Sequence, residues 1–142
     1  MRLHRLLAVA AVAAVVAAPA WAQSTLRADL GPPYYVNGQL SWPPNDGCAD
    51  AEVTEVLPPG MKIDRYGSEN GSYFAVPGTP YEARALPYDP TKLPYTVYEV
   101  EKPLKVLECT IAPWFGESGG GKQFKAAEPA AQLKAEGVLK PQ

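Results

Sequence analysis

Residues 95–111 read YTVYEVEKPLKVLECTI, and this stretch decides the fold class. Its two runs, Tyr95–Val100 and Leu104–Ile111, alternate apolar with polar side chains, are rich in β-branched and aromatic residues, and are separated at Pro103. A period of two lines one face with apolar groups, which is the pattern of a half-buried strand. Upstream, MKIDRY (61–66) repeats the alternation between Pro58-Pro59-Gly60 and Gly67, and Glu52–Leu57 precedes it. Ser68-Glu69-Asn70-Gly71 is a turn sequence, so residues 72–76 read as a strand returning on 61–66 in a β-hairpin. Downstream, Lys122–Lys125 is expected as a last strand, and Pro129–Glu136 as a short helix closed by Gly137.

The composition agrees with this pattern. Sixteen prolines and 12 glycines, beside eight tyrosines and three tryptophans, favour short strands and many turns over long helices. The expected class is α+β, mainly β. Residues 23–52 carry Pro32-Pro33, Asn37-Gly38 and Pro43-Pro44, which break longer elements, and they read as an irregular lead-in tied to the rest at Cys48. There is no internal repeat.

The first residues, MRLHRLLAVAAVAAVVAAPAWAQ, place Arg2 and Arg5 before an apolar run and then small residues at Ala20 and Ala22. That is the order of a secretory signal peptide, expected over residues 1–22 with removal after Ala22. The run is shorter than the roughly 20 residues that cross a bilayer. Cleavage would remove Arg2 and Arg5 from the 13 basic residues and none of the 15 acidic ones, leaving 11 against 15 and a net charge near −4. Such a balance offers nothing to nucleic acid or anionic membranes. The single histidine, His4, lies in the leader, so the mature chain is expected to lack Ser-His and Cys-His pairs, HExxH metal sites and a histidine base. Cys48 and Cys109, sent to an oxidising compartment, are expected to pair, and no metal is expected because the chain offers too few further ligands.

The residue types that could carry chemistry are Arg65 and Arg84, each near glycine or proline turns, and the aromatic-glycine stretch from Trp114 to Phe124. Guanidinium forks suit phosphate and aromatic faces suit a base ring. The run Gly119-Gly120-Gly121 before Gln123 would let backbone approach a ligand closely. Taken singly, the plainer readings outweigh these: a solvated or surface-paired arginine, a Trp-Phe pair in the core. The glycines also lack the spacing of a phosphate loop.

Joined in order, the segments LPPGMKIDRYGSENGSYF, GTPYEARALP, YTVYEVEKPL, IAPWFGESGGGKQF and LKAEGVLK resemble the TNT domain family, named for the tuberculosis necrotizing toxin and including secreted fungal NADases. The resemblance covers about residues 57–139 and implies a small twisted antiparallel sheet with short helices, distantly related to ADP-ribosyltransferase toxins. It implies a TNT-like catalytic domain over 53–142 that hydrolyses NAD(P) to nicotinamide and an ADP-ribose product. NAD or NADP would be substrate, with no cofactor, and an immunity protein is a partner that such toxins invite. By motif, Arg65 (IDRY) and Arg84 (ARALP) take the phosphate and ribose side, with Arg84 counted among the catalytic residues. Tyr73 lies near the substrate, and Gln123 (GGGKQ) contacts the nicotinamide ribose and is the first choice for turnover. Trp114 and Phe115 either wall the nicotinamide pocket or pack beneath the loop, and Glu117 either orients water or is a solvated carboxylate. Glu117, Ser118 and Thr96 depart from the residues common in relatives. The alternatives are an ADP-ribosyltransferase using the same donor and a catalytically silent secreted binding module. The protein is expected to be secreted or periplasmic.

Overall fold

The alternating runs do become strands. The computed structural model describes residues 25–142, so the expected leader lies outside the described residues. In chain order they form β1 (Tyr35–Val36), β2 (Gln39–Leu40), β3 (Val53–Leu57), β4 (Lys62–Tyr66), β5 (Tyr73–Ala75), β6 (Tyr95–Val100), β7 (Leu104–Thr110), β8 (Lys122–Ala126), α1 (Ala130–Ala135) and β9 (Leu139–Pro141). Strands β3 to β9 make one seven-stranded sheet in the order β3-β7-β8-β5-β4-β6-β9, with every neighbouring pair antiparallel. The fold is mainly antiparallel β with few short helices, as the sequence implies.

One face of the sheet is the apolar core. Ile63, Phe74, Tyr98, Val100, Val106 and Phe124 project there, one from each alternate position, and Leu133 of α1 and Leu139 close over them. Phe74 packs edge-on to Tyr98 with ring centroids 5.9 Å apart. The opposite face carries the intervening residues and is met by the lead-in and by the loops that precede β6 and β8.

Three local outcomes differ from the sequence reading. Strand β8 is not the last, because β9 pairs with β6 beyond the helix and ends the sheet at Pro141, where a missing donor is harmless. The 61–76 hairpin is open: β4 meets β5 only at Asp64↔Ala75, while it pairs with β6 over five residues and β5 pairs with β8 over three. The Arg65 guanidinium occupies the mouth of the turn. Its Nε donates to the Ser68 carbonyl at 2.7 Å and its Nη1 to the Tyr73 carbonyl at 2.9 Å. A Cβ at Gly71 would collide with that guanidinium, which explains a glycine there. Third, Asn37-Gly38 closes the two-residue ribbon β1–β2 within the lead-in.

The disulfide Cys48–Cys109 fastens the lead-in to β7 across 61 residues of chain. Closing a loop of that length stabilises by about 4 kcal/mol in the chain-entropy picture. Truncating Phe124, which is 1% exposed at the centre of the core, is expected to cost roughly 3–5 kcal/mol in Phe124→Ala, read as a fall in the urea midpoint with the slope unchanged.

Candidate active site

The register places Cys109, Gln123, Ala75 and Asp64 side by side in one row across β7, β8, β5 and β4 on the face away from the core. Strands lie about 4.8 Å apart, so Gln123 and Asp64 stand about 10 Å from each other. Between them the side chain is only a methyl group. Ala75 is thereby the floor of a cleft whose lining includes Arg65, Tyr66, Tyr73, Arg84, Leu86 and Gln123. Its volume is about 70 Å³, well below the 300–1,000 Å³ of sites that enclose a drug-sized ligand, so a larger ligand would seat one part here and lie along the surface with the rest.

At the far end of the row Asp64 has no exposed surface. Arg84 closes on it as a fork, Nη1 to Oδ1 at 2.6 Å and Nη2 to Oδ2 at 2.7 Å, and the Tyr95 hydroxyl donates to Oδ2 at 2.7 Å. A carboxylate withdrawn from water in this way is tolerable because each oxygen is paired and hydrogen-bonded. Burial, then the bond to Asp64, pushes the Tyr95 phenol up to about 12, so it remains a donor at neutral pH. Arg84 is aimed by its turn. It ends the 3₁₀ segment Tyr81–Arg84, Ala85 follows at φ 48, and Nε donates to the Thr79 carbonyl at 3.1 Å. The Arg84 guanidinium also lies 5.0 Å from the centre of the Tyr66 ring.

Arg65 differs in kind. Its guanidinium donates to two carbonyl oxygens, and among the described residues no ion pair neutralises it. Burial lowers its pKa, although a guanidinium of this type stays protonated. The Asp64–Arg84 pair is neutral as a unit, so Arg65 supplies the uncompensated positive charge at the cleft.

Of the residues chosen from sequence, Arg65, Tyr73, Arg84 and Gln123 are brought to this one cleft from four separate segments. The remaining three are not among its lining. Phe115 is 1% exposed and packs against Tyr34 and Trp42, so of its two readings it packs beneath the loop and offers no ring face to a ligand. Trp114 donates its indole N–H to the Ser41 carbonyl at 2.8 Å and touches Tyr34. Glu117 is paired with Arg27 Nη1 at 2.7 Å and lies outside the residues that line this cleft. The glycine run also has another task. Gly121 donates to the Ala83 carbonyl at 3.0 Å, and a Cβ there would lie 2.8 Å from that oxygen, so the close approach is to the turn bearing Arg84. Sequence reasoning missed Asp64, although its place between Ile63 and Arg65 in an alternating strand puts it on the face opposite the core. It also missed Arg27, which donates to the carbonyls of Leu86 at 2.9 Å and Phe115 at 2.7 Å and joins two loops from the lead-in.

A mainly antiparallel sheet with an arginine-bearing cleft on the face away from its core defines a class of small α+β domain. Residues 56–141 match the family described as tuberculosis necrotizing toxin, TNT, and the chain belongs to that family. It is 40% identical over 117 residues to the conidial surface nicotinamide adenine dinucleotide glycohydrolase nadA of Aspergillus fumigatus, a match covering 73% of this chain and 50% of that protein. In structure it is similar to the tuberculosis necrotizing toxin, solved in complex with its immunity factor IFT, with a TM-score of 0.59 and 25% identity over 72% of this chain and 63% of the other. The chain thus spans about half the length of the curated relative that it matches.

The buried pair yields a test. Arg84→Met is expected to lower unfolding free energy by roughly 3–5 kcal/mol, because it strands a buried carboxylate, whereas Asp64→Leu in the same chain recovers much of the loss. Equal destabilisation of the single and double variants in urea titrations would contradict the pairing.

Proposed function

We propose that this protein is an NAD(P) glycohydrolase, cleaving the nicotinamide-ribose bond and releasing nicotinamide and an ADP-ribose product. The observation that carries the reading is the convergence of Arg65, Tyr73, Arg84 and Gln123 on one cleft, in a member of a family whose relative nadA is named for this activity.

The division of labour follows from the charges. Arg65 takes the pyrophosphate, because its charge is not cancelled and its fork matches phosphate oxygens. Arg84, neutralised by Asp64, fixes the shape of the cleft and offers its remaining N–H groups to the ribose side. Tyr73 is half-exposed at the rim, with Lys125 Nζ 5.8 Å from its ring centre. Gln123 accepts from a ribose hydroxyl and turns a carbonyl dipole toward the anomeric carbon.

Chemically, the C1′–N bond breaks with both electrons passing to the pyridinium ring, so nicotinamide leaves neutral. The ribose is left as an oxocarbenium-like cation, water adds at C1′, and its proton passes to solvent. No acid has to protonate the leaving group, unlike the alkoxide-like departure in ordinary glycosidases. The demands are positioning, which can contribute roughly 7 kcal/mol or more, and fixed dipoles facing the developing charge. Neither needs a histidine.

The reading extends to residues 1–22 as an export leader, residues 23–52 as a lead-in and 53–142 as the catalytic domain, acting outside the cytosol. The Cys48–Cys109 disulfide supports an oxidising compartment. An immunity protein is proposed as a partner, on the strength of the toxin solved with its immunity factor.

Purified oxidised protein is expected to release nicotinamide from NAD or NADP, followed by chromatography. Gln123→Ala should lower kcat by about a hundredfold with little change in KM, and Arg65→Ala should raise KM by about tenfold or more. Absence of turnover of both dinucleotides by the folded wild type would overturn the proposal.

A further inference from the structure

Gln123 is held from outside the family-matched residues. Its Nε2 donates to the carbonyl oxygen of Asp46 at 3.0 Å, and the disulfide sulfurs of Cys109 and Cys48 lie 3.7 and 3.9 Å from the same nitrogen. Asp46 sits in the 3₁₀ turn Asn45–Gly47, where Asn45 and Asp46 have φ of 54° and 56°. Left-handed backbone at two successive non-glycine residues is costly and persists where the surroundings impose it. Here the ties can be named. Cys48 is bonded to Cys109, Lys125 Nζ meets Asp46 Oδ2 at 2.7 Å, the Ala112 amide donates to the Gly47 carbonyl at 2.8 Å, and the Ala49 amide to the Thr110 carbonyl at 2.8 Å.

These contacts decide which way the carboxamide faces. Its oxygen in place of its nitrogen would stand 3.0 Å from another carbonyl oxygen, with two disulfide sulfurs beyond, and none of these three atoms carries a proton to donate. With the donor committed to the turn, the acceptor is what Gln123 has left for a ligand in the cleft. An amide free to rotate would present its N–H groups to a cationic ribose for much of the time, which opposes the transition state.

We infer that the Asn45–Cys48 turn is part of the active site: the Asp46 carbonyl is a positioning group that sets the Gln123 carboxamide donor-inward and acceptor-outward, and Lys125 and the Cys48–Cys109 disulfide keep that carbonyl in place. The inference rests on the glycohydrolase reading for its catalytic consequence, but not for its geometry.

The test uses the full oxidised chain labelled with ¹⁵N, observing the Gln123 side-chain amide pair, and measures NAD turnover on the same samples. In the wild type the pair is expected to be shifted away from the position shared by exposed glutamines. In Lys125→Met it should move to that position, with kcat falling about tenfold or more and KM changing less than about twofold, since misplacement of about 1 Å can cost that much in rate. Lys125→Arg should restore both readouts. Asp46→Gly, which removes the carboxylate while suiting the positive φ, should repeat the Lys125→Met result should that variant fail to fold. A Gln123 pair already at the averaged position in the wild type would overturn the inference, as would an unchanged kcat once the amide is released. Wild-type protein with an ordered amide and no NAD or NADP turnover would sink the glycohydrolase reading while leaving the positioning geometry standing.

Discussion

Asp64 lies near the middle of a seven-stranded sheet with none of its surface in water. A lone carboxylate there would be prohibitive, so Arg84 and Tyr95 must meet it, and much of the remaining architecture follows from making that meeting possible. Arg84 reaches Asp64 only because the chain doubles back at Ala85. That turn in turn sits where Gly121 allows β8 to begin against the Ala83 carbonyl. The residue two places into β8 from that contact is Gln123. The strand spacing sets the distance between the two ends of the cleft, and the ion pair, neutral as a unit, leaves the electrostatic character of the site to Arg65.

The second structural theme is the lead-in. Only residues 56–141 match the family, yet residues 25–52 furnish contacts to the loops that precede β6 and β8 and to Gln123 itself. Arg27 joins the loops at Leu86 and Phe115, Ser41 receives the Trp114 indole, Trp42 and Tyr34 cover Phe115, and Asp46 receives Gln123. A segment with little regular structure of its own can do this because its backbone carbonyls, free of ladder partners, are available as acceptors. The disulfide holds that geometry where a small core could not.

The strands were legible where alternation acts locally: each of the runs 62–66, 95–100 and 104–110 carries its own face assignment in its own residues, whereas 53–57, with Val53 and Val56 exposed, is marked by its β-rich composition alone. Their order in the sheet was not, since β3 pairs with β7 and β5 with β8 across long stretches of chain, and such pairings have no signature in a local pattern. Arg65, Arg84, Tyr73 and Gln123 could be selected from short motifs that resemble the family. Asp64 could not, because a strand aspartate looks like any solvated one until its partner twenty residues away is known. Trp114, Phe115 and Glu117 illustrate the converse. Their residue types suggest a ligand, and the packing of the lead-in, invisible to a motif, gives Phe115 to the interior and Glu117 to Arg27.

The most direct measurement is a crystal structure of the oxidised protein with an NAD analogue whose nicotinamide-ribose bond resists cleavage. The expected density places the pyrophosphate on Arg65 and the nicotinamide ribose above Ala75, with a ribose hydroxyl donating to Gln123 Oε1. Density for the analogue on another surface, or a ribose that leaves Gln123 and Ala75 untouched, would contradict the assignment of this cleft as the active site.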